Sequence, residues 1–188
     1  MRPSRAVALC CVAAAALFLA GCTGNHSADE EAAVVLSASI TEGPADQAVN
    51  IPIDITIGSM NIRSQAKSPD FVLSQQQDVV LTEWVVTPVR SDGGTVASPQ
   101  WRNFYSVYVQ AGGSASVQNY RIFPSGYYTE PPLNQLFPAN GGADRETGKP
   151  EIRQRLNIAV YGKTVSGKSV VLRFDVDIRF YYATSTGQ

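Results

Sequence analysis

The chain has 188 residues, with 15 Lys and Arg against 16 Asp and Glu and a formal net charge of −1 at pH 7. A balance this close to neutral lacks the basic surplus by which proteins hold nucleic acid or anionic lipid through charge alone. The length suits one domain with its own core.

In chain order, the first element is a leader. Met1-Arg-Pro-Ser-Arg5 is followed by fifteen uncharged residues, Ala6 to Ala20, mostly Ala, Leu, Val and Cys. A charged start and an apolar stretch of this length form a secretory signal. As a helix it would cover about 22 Å, short of the roughly 30 Å hydrocarbon core. The residues after Cys22 also lack the basic flank of a stop-transfer segment.

The leader closes on Leu19-Ala20-Gly21-Cys22. This pattern resembles the lipobox of bacterial lipoproteins, where an apolar residue and two small ones precede a cysteine. The resemblance covers the first 22 residues. It implies cleavage before Cys22, a diacylglycerol on its sulfur and an acyl chain on its freed amine. Two or more chains anchor stably, at about 0.8 kcal/mol per buried methylene. Lipoproteins with Asp directly after the cysteine tend to stay in the inner membrane. Thr23 stands there instead, so the resemblance points to the outer membrane. The expected organisation is a signal peptide at 1–21, a lipidated tether at 22–32 and one domain at 33–188.

That reading removes Cys10 and Cys11 with the leader, leaving Cys22 as the one thiol of the mature chain and excluding an intrachain disulfide. Loss of Arg2 and Arg5 leaves 13 basic against 16 acidic residues. The tether, TGNHSADEEA, is polar and aperiodic. At about 3.3 Å per residue it lets the domain sit just off the membrane.

Strand periodicity follows. Val34, Leu36, Ala38 and Ile40 alternate with polar or small residues, and Val49, Ile51, Ile53, Ile55 and Ile57 do so over nine positions. Pro52 places that second strand at an edge or a bulge. Val79–Val89 holds Trp84 and is apolar on both faces, which belongs inside a sandwich. Strands are also expected at Phe104–Val109 and Val117–Phe123, with turns at Ser91–Gly94 and Ala111–Ser114. The C-terminal hairpin is the clearest: Ile152 to Val160 and Leu172 to Tyr182 alternate on either side of Thr164–Lys168. It puts Arg153 and Arg155 opposite or diagonal to Asp175, Asp177 and Arg179, as cross-strand pairs.

Two long connections are expected, at 58–78 and 124–150. The second carries Tyr127, Tyr128, Leu133, Leu136, Phe137 and five prolines, and is expected to be an ordered excursion. Six to eight strands with little helix define the fold class: an all-β antiparallel sandwich, immunoglobulin or fibronectin III-like in architecture.

Chemistry is harder to find. The one histidine, His26, lies in the tether, where no scaffold can aim it at a nucleophile or a metal. Carboxylates such as Asp54, Glu83, Glu130, Asp144 and Glu151 are available for a glycosidase pair, but nothing local marks one. Asn140-Gly-Gly-Ala-Asp-Arg-Glu146 partly matches a calcium loop, with Glu151 at the twelfth position. Gly142 at the third position and the missing central glycine favour a glycine-rich turn. Trp101, Tyr127 and Tyr128, with Tyr105 nearby, are the candidate ligand platforms, since sugars and peptides stack on flat aromatic faces.

The expectation is a non-enzymatic envelope lipoprotein with no catalytic residues, metal or cofactor beyond the lipid on Cys22. It meets the membrane through its anchor, binds an envelope protein and binds no nucleic acid. The alternative is a carbohydrate-binding module for peptidoglycan or surface polysaccharide.

Overall fold

The structure is a computed structural model describing residues 32–184. The leader, Cys22, His26 and all but the last residue of the tether lie outside the described residues.

Eight strands form two sheets among the described residues. They are β1 (Val34–Glu42), β2 (Gln47–Ala48), β3 (Ile55–Ala66), β4 (Val79–Arg90), β5 (Trp101–Val109), β6 (Ser114–Phe123), β7 (Glu151–Thr164) and β8 (Ser169–Tyr181). One sheet has the order β1-β3-β6 and the other β2-β8-β7-β4-β5. All pairings are antiparallel except the two-residue contact of β2 with β8. Lettered in order as A, A′, B, C, C′, E, F and G, the sheets read A-B-E and A′-G-F-C-C′. This is an immunoglobulin-type arrangement without strand D, and Trp84 sits buried on strand C as in that architecture.

The core is the set of side chains that alternation directs between the sheets. From β7 come Ile152, Leu156, Ile158 and Val160, and from β8 Leu172, Phe174, Ile178 and Phe180, all buried. Trp84 packs on Tyr120 with ring centroids 4.2 Å apart and meets Phe174 edge-on at 6.5 Å. The described residues include no cysteine, so apolar burial carries the fold.

The hairpin of β7 and β8 has the expected register: Arg155 lies opposite Asp177, 3.2 Å away, with Asp175 at 3.6 Å. Gly167 closes the turn at φ +85°. Residues 124–150 are ordered, as three short 3-10 turns that bury Tyr128, Leu133 and Leu136.

Two expectations need correction. The strand read at Val49–Ile57 starts only at Ile55; Ile51 and Ile53 are 45% and 61% exposed, outside any strand. Val49 and Asn50 instead bond along the end of β8, through Tyr181 and Ala183. The connection read at 58–78 is β3 itself as far as Ala66. Its burial phase slips from Ile55 and Ile57 to Met60 and Ile62 beside an irregularity at Ile40/Glu42 of β1. That slip at Gly58-Ser59 imitates a chain break, because a one-residue offset reverses the face of every following side chain.

Candidate functional site

The loops divide between two poles of the sandwich. One pole holds 43–54, 91–100 and 124–150, and the other holds 67–78, 110–113 and 165–168.

At the first pole Arg90, at the end of β4, is the organising residue. Its side chain is 1% exposed and meets Asp92 at 2.8 Å, Asp144 at 2.7 Å and Glu146 at 3.5 Å. Asp92 also accepts from the backbone of Gly94 and Arg153, and Asp144 from Thr147. Burial pushes the Asp144 carboxyl up, but hydrogen bonds from Arg90 and Thr147 outweigh it and hold it at about 2. Glu146 closes the loops together by accepting from Thr95 and Val96. Asp144 and Glu146, the oxygens of the calcium-loop pattern, thus serve an arginine and a backbone turn, while Asn140 donates to Asn134. Among the described residues no group of three His, Cys, Asp or Glu is placed to hold a metal. Asp54 pairs with Arg121, Glu83 with Arg102 and Glu151 with Arg153.

The three aromatic candidates have different fates. Tyr128 is 1% exposed, and its hydroxyl donates to the Ile53 carbonyl at 2.7 Å, so it presents no face to solvent. Tyr127 is half-buried, set edge-on against Phe123 at 5.4 Å, with its hydroxyl on the Gln100 carbonyl. Trp101 is half-buried under the Arg121 guanidinium, 5.3 Å from its ring. Trp101 and Tyr127 do come together, through Gln100, where β5 starts and β6 ends. The adjacent Tyr120 ring lies in the core, and burial pushes its hydroxyl up to about 12.

The more open surface is β5, which pairs only with β4 among the described residues; an extra residue between Phe104 and Val107 bulges it against β4, so its open edge runs as two short segments on either side of Tyr105 and Ser106. Phe104 is 73% exposed, Tyr108 57% and Tyr105 44%. The Trp84 indole donates to the Tyr105 carbonyl at 3.0 Å, and the Tyr108 hydroxyl donates to Asp78, so core and buried polar groups hold this edge from both sides. On the outer sheet face beside it, Val80 lies opposite Tyr108, and Glu83 opposite both Phe104 and Tyr161. A depression of about 330 Å³ opens on that face over β4, β7 and the start of β8, lined by Val80, Thr82, Glu83, Tyr161 to Lys163 and Ser169 to Val171 and by no residue of β5. It exists because β4 bulges between Leu81 and Glu83 over Gly162, whose missing Cβ would lie 2.3 Å from the Val80 carbonyl.

No family model and no curated sequence matches the chain. A crystal structure of a protein from Archaeoglobus fulgidus is similar over 80% of this chain and 96% of that one, at 10% identity and a TM-score of 0.38. A likeness at that level carries no argument about this chain.

Sequence reading named Trp101 and Tyr105 but missed Phe104 and Tyr108 as a surface. The signal was present as Phe104, Ser106 and Tyr108 on one face with Val107 and Val109 on the other. A strand apolar on both faces reads as covered, and only the sheet order shows that β5 is an edge.

Proposed function

We propose that the chain is an envelope lipoprotein anchored through Cys22, whose sandwich is a non-enzymatic adaptor that takes up an extended segment of a protein partner along β5. The observation carrying this reading is the β5 edge, unpaired among the described residues and bearing Phe104 and Tyr108 beside the Gly162 depression. An unpaired edge offers backbone donors and acceptors to an added strand, and alternate side chains supply selectivity. Clustered exposed aromatics mark contact surfaces. The non-enzymatic part is supported by His26 lying before the domain and by the ion pairs that engage Asp54, Glu83, Asp144 and Glu151.

The test is a photo-crosslinking side chain at Phe104, with a second at the distant Ala139, in cells making the full chain. A discrete protein adduct from position 104 alone is expected. Adducts from both positions equally, or none from 104, would count against the β5 site. The glycan-binding alternative through Trp101, Tyr127 and Tyr128 has less to rest on, because Tyr128 is buried and Arg121 covers one face of Trp101.

A further inference from the structure

The pole opposite the Arg90 cluster carries apolar side chains that the core does not use. Val72 is 87% exposed, Phe71 43% and Val165 55%. They belong to two different loops that backbone hydrogen bonds join: Val165 donates to the Asp78 carbonyl and Ser166 to the Gln76 carbonyl. The 67–78 loop is also fixed to the β5–β6 turn, where the Leu73 side chain lies against Gly112. A 3-10 turn with a complete capping box, Ser74 to Gln77, stiffens it. These apolar tips are therefore held on a built surface.

The chain runs into the domain at this same pole. Ala32 is buried, β1 begins at Val34, and Lys67 donates to the Ala33 carbonyl at 2.9 Å. Ala32 is the tenth residue after Cys22, a covalent reach of at most about 36 Å. A lipid on Cys22 would thus keep this pole within about 36 Å of the bilayer and let Phe71, Val72 and Val165 reach it. Charge agrees with that orientation. Lys67, Lys163 and Lys168 stand at this pole with Asp70 and Asp78, whereas Asp46, Asp54, Asp92, Glu130, Asp144 and Glu146 outnumber Arg145 and Lys149 in the loops of the other.

We infer that Phe71, Val72 and Val165 form a second membrane contact: the lipid-anchored domain stands on this pole, with the three side chains in the headgroup region and the lysines at its rim. Resting on the anchor reading above, this replaces a domain hanging free on its tether with one of fixed orientation. Apolar insertion drives the contact, consistent with the chain's lack of overall basic charge. Side chains of this kind enter the boundary between headgroups and acyl chains, and long lysines keep their ammonium groups in water beside them. The same orientation points β5 along the membrane normal and the Arg90 pole away from it.

The experiment uses the full-length product purified from its envelope and reconstituted in vesicles of phosphatidylethanolamine and phosphatidylglycerol, with or without brominated acyl chains. A tryptophan is placed by Val72→Trp or, at the opposite pole, by Ala139→Trp; both positions are exposed, so neither change disturbs the core. The expected result is loss of emission with brominated lipid for Val72→Trp only. Equal response at both positions, or none at 72, overturns the orientation. Phe71→Ser with Val165→Ser should abolish the quenching at 72 while the protein stays with the vesicles. Mass spectrometry of each sample reports the lipid on Cys22 separately. A lipidated protein without quenching defeats this inference alone, and an unlipidated protein defeats the anchor reading. If the indole introduced by Val72→Trp were protected from aqueous quenchers without vesicles, that would indicate a protein contact and also overturn the inference.

Discussion

Asp144→Asn is the sharpest test of how the long loops are held. Asp144 is 1% exposed and accepts two hydrogen bonds from Arg90 and two from Thr147. Its carboxyl is held at about 2 in the folded chain, against an ordinary 3.8. At about 1.4 kcal/mol per pKa unit, that depression contributes about 2 to 3 kcal/mol of stability. The folded value lies below the unfolded one, so the contribution is complete above about pH 4 and disappears as pH falls towards 2. Asp144→Asn should therefore cost about 2 to 3 kcal/mol in urea unfolding near pH 7, followed by tryptophan emission. The gap from wild type should narrow by roughly 1 kcal/mol per pH unit between about pH 4 and 2. A gap unchanged across that range would refute the ion-pair account and leave only packing.

Other outcomes follow from backbone and core geometry. Gly162→Ala should destabilise by about 2 kcal/mol or more, because its Cβ would lie 2.3 Å from the Val80 carbonyl and 2.7 Å from the Leu81 Cα, both backbone atoms. Gly126→Ala, whose Cβ would meet nothing within 4 Å among the described residues, should be near neutral when both variants are compared by urea unfolding; equal effects would contradict the bulge argument. Ser64 is fully buried, with a hydroxyl that has no hydrogen-bond partner among the described residues. Ser64→Ala should thus be neutral or stabilise by up to about 1 kcal/mol in denaturant, and a loss of stability would reveal a partner for that oxygen.

What could be read from the sequence depended on whether the signal was local. The β7–β8 hairpin was legible because unbroken alternation runs on either side of a short turn that contains Gly167; its strands run closer to that turn than the alternation marked, to Thr164 and from Ser169. The 58–66 half of β3 was not, since the slip at Gly58-Ser59 reverses the alternation on which a strand is recognised. Val49 to Ile53 erred the other way: the alternation is there, but Ile51 and Ile53 are exposed and lie outside both sheets. The ordered packing of 124–150 could be expected from its apolar residues. That Tyr128 is buried while its neighbour Tyr127 is half-exposed depends on how a 3-10 turn faces Phe123 and Phe180. The Arg90 cluster joins residues more than fifty positions apart, a pairing that no periodicity encodes. The exposed β5 edge likewise exists only once the strand order is known.

The most direct measurement is Cys22→Ala in the full chain, read by metabolic lipid labelling and by fractionation of membranes from soluble protein. The account predicts loss of label and release of a folded domain whose thermal melt is unchanged, since β1 to β8 form the core without Cys22. Label that persists, or membrane retention unchanged without lipid, would contradict it.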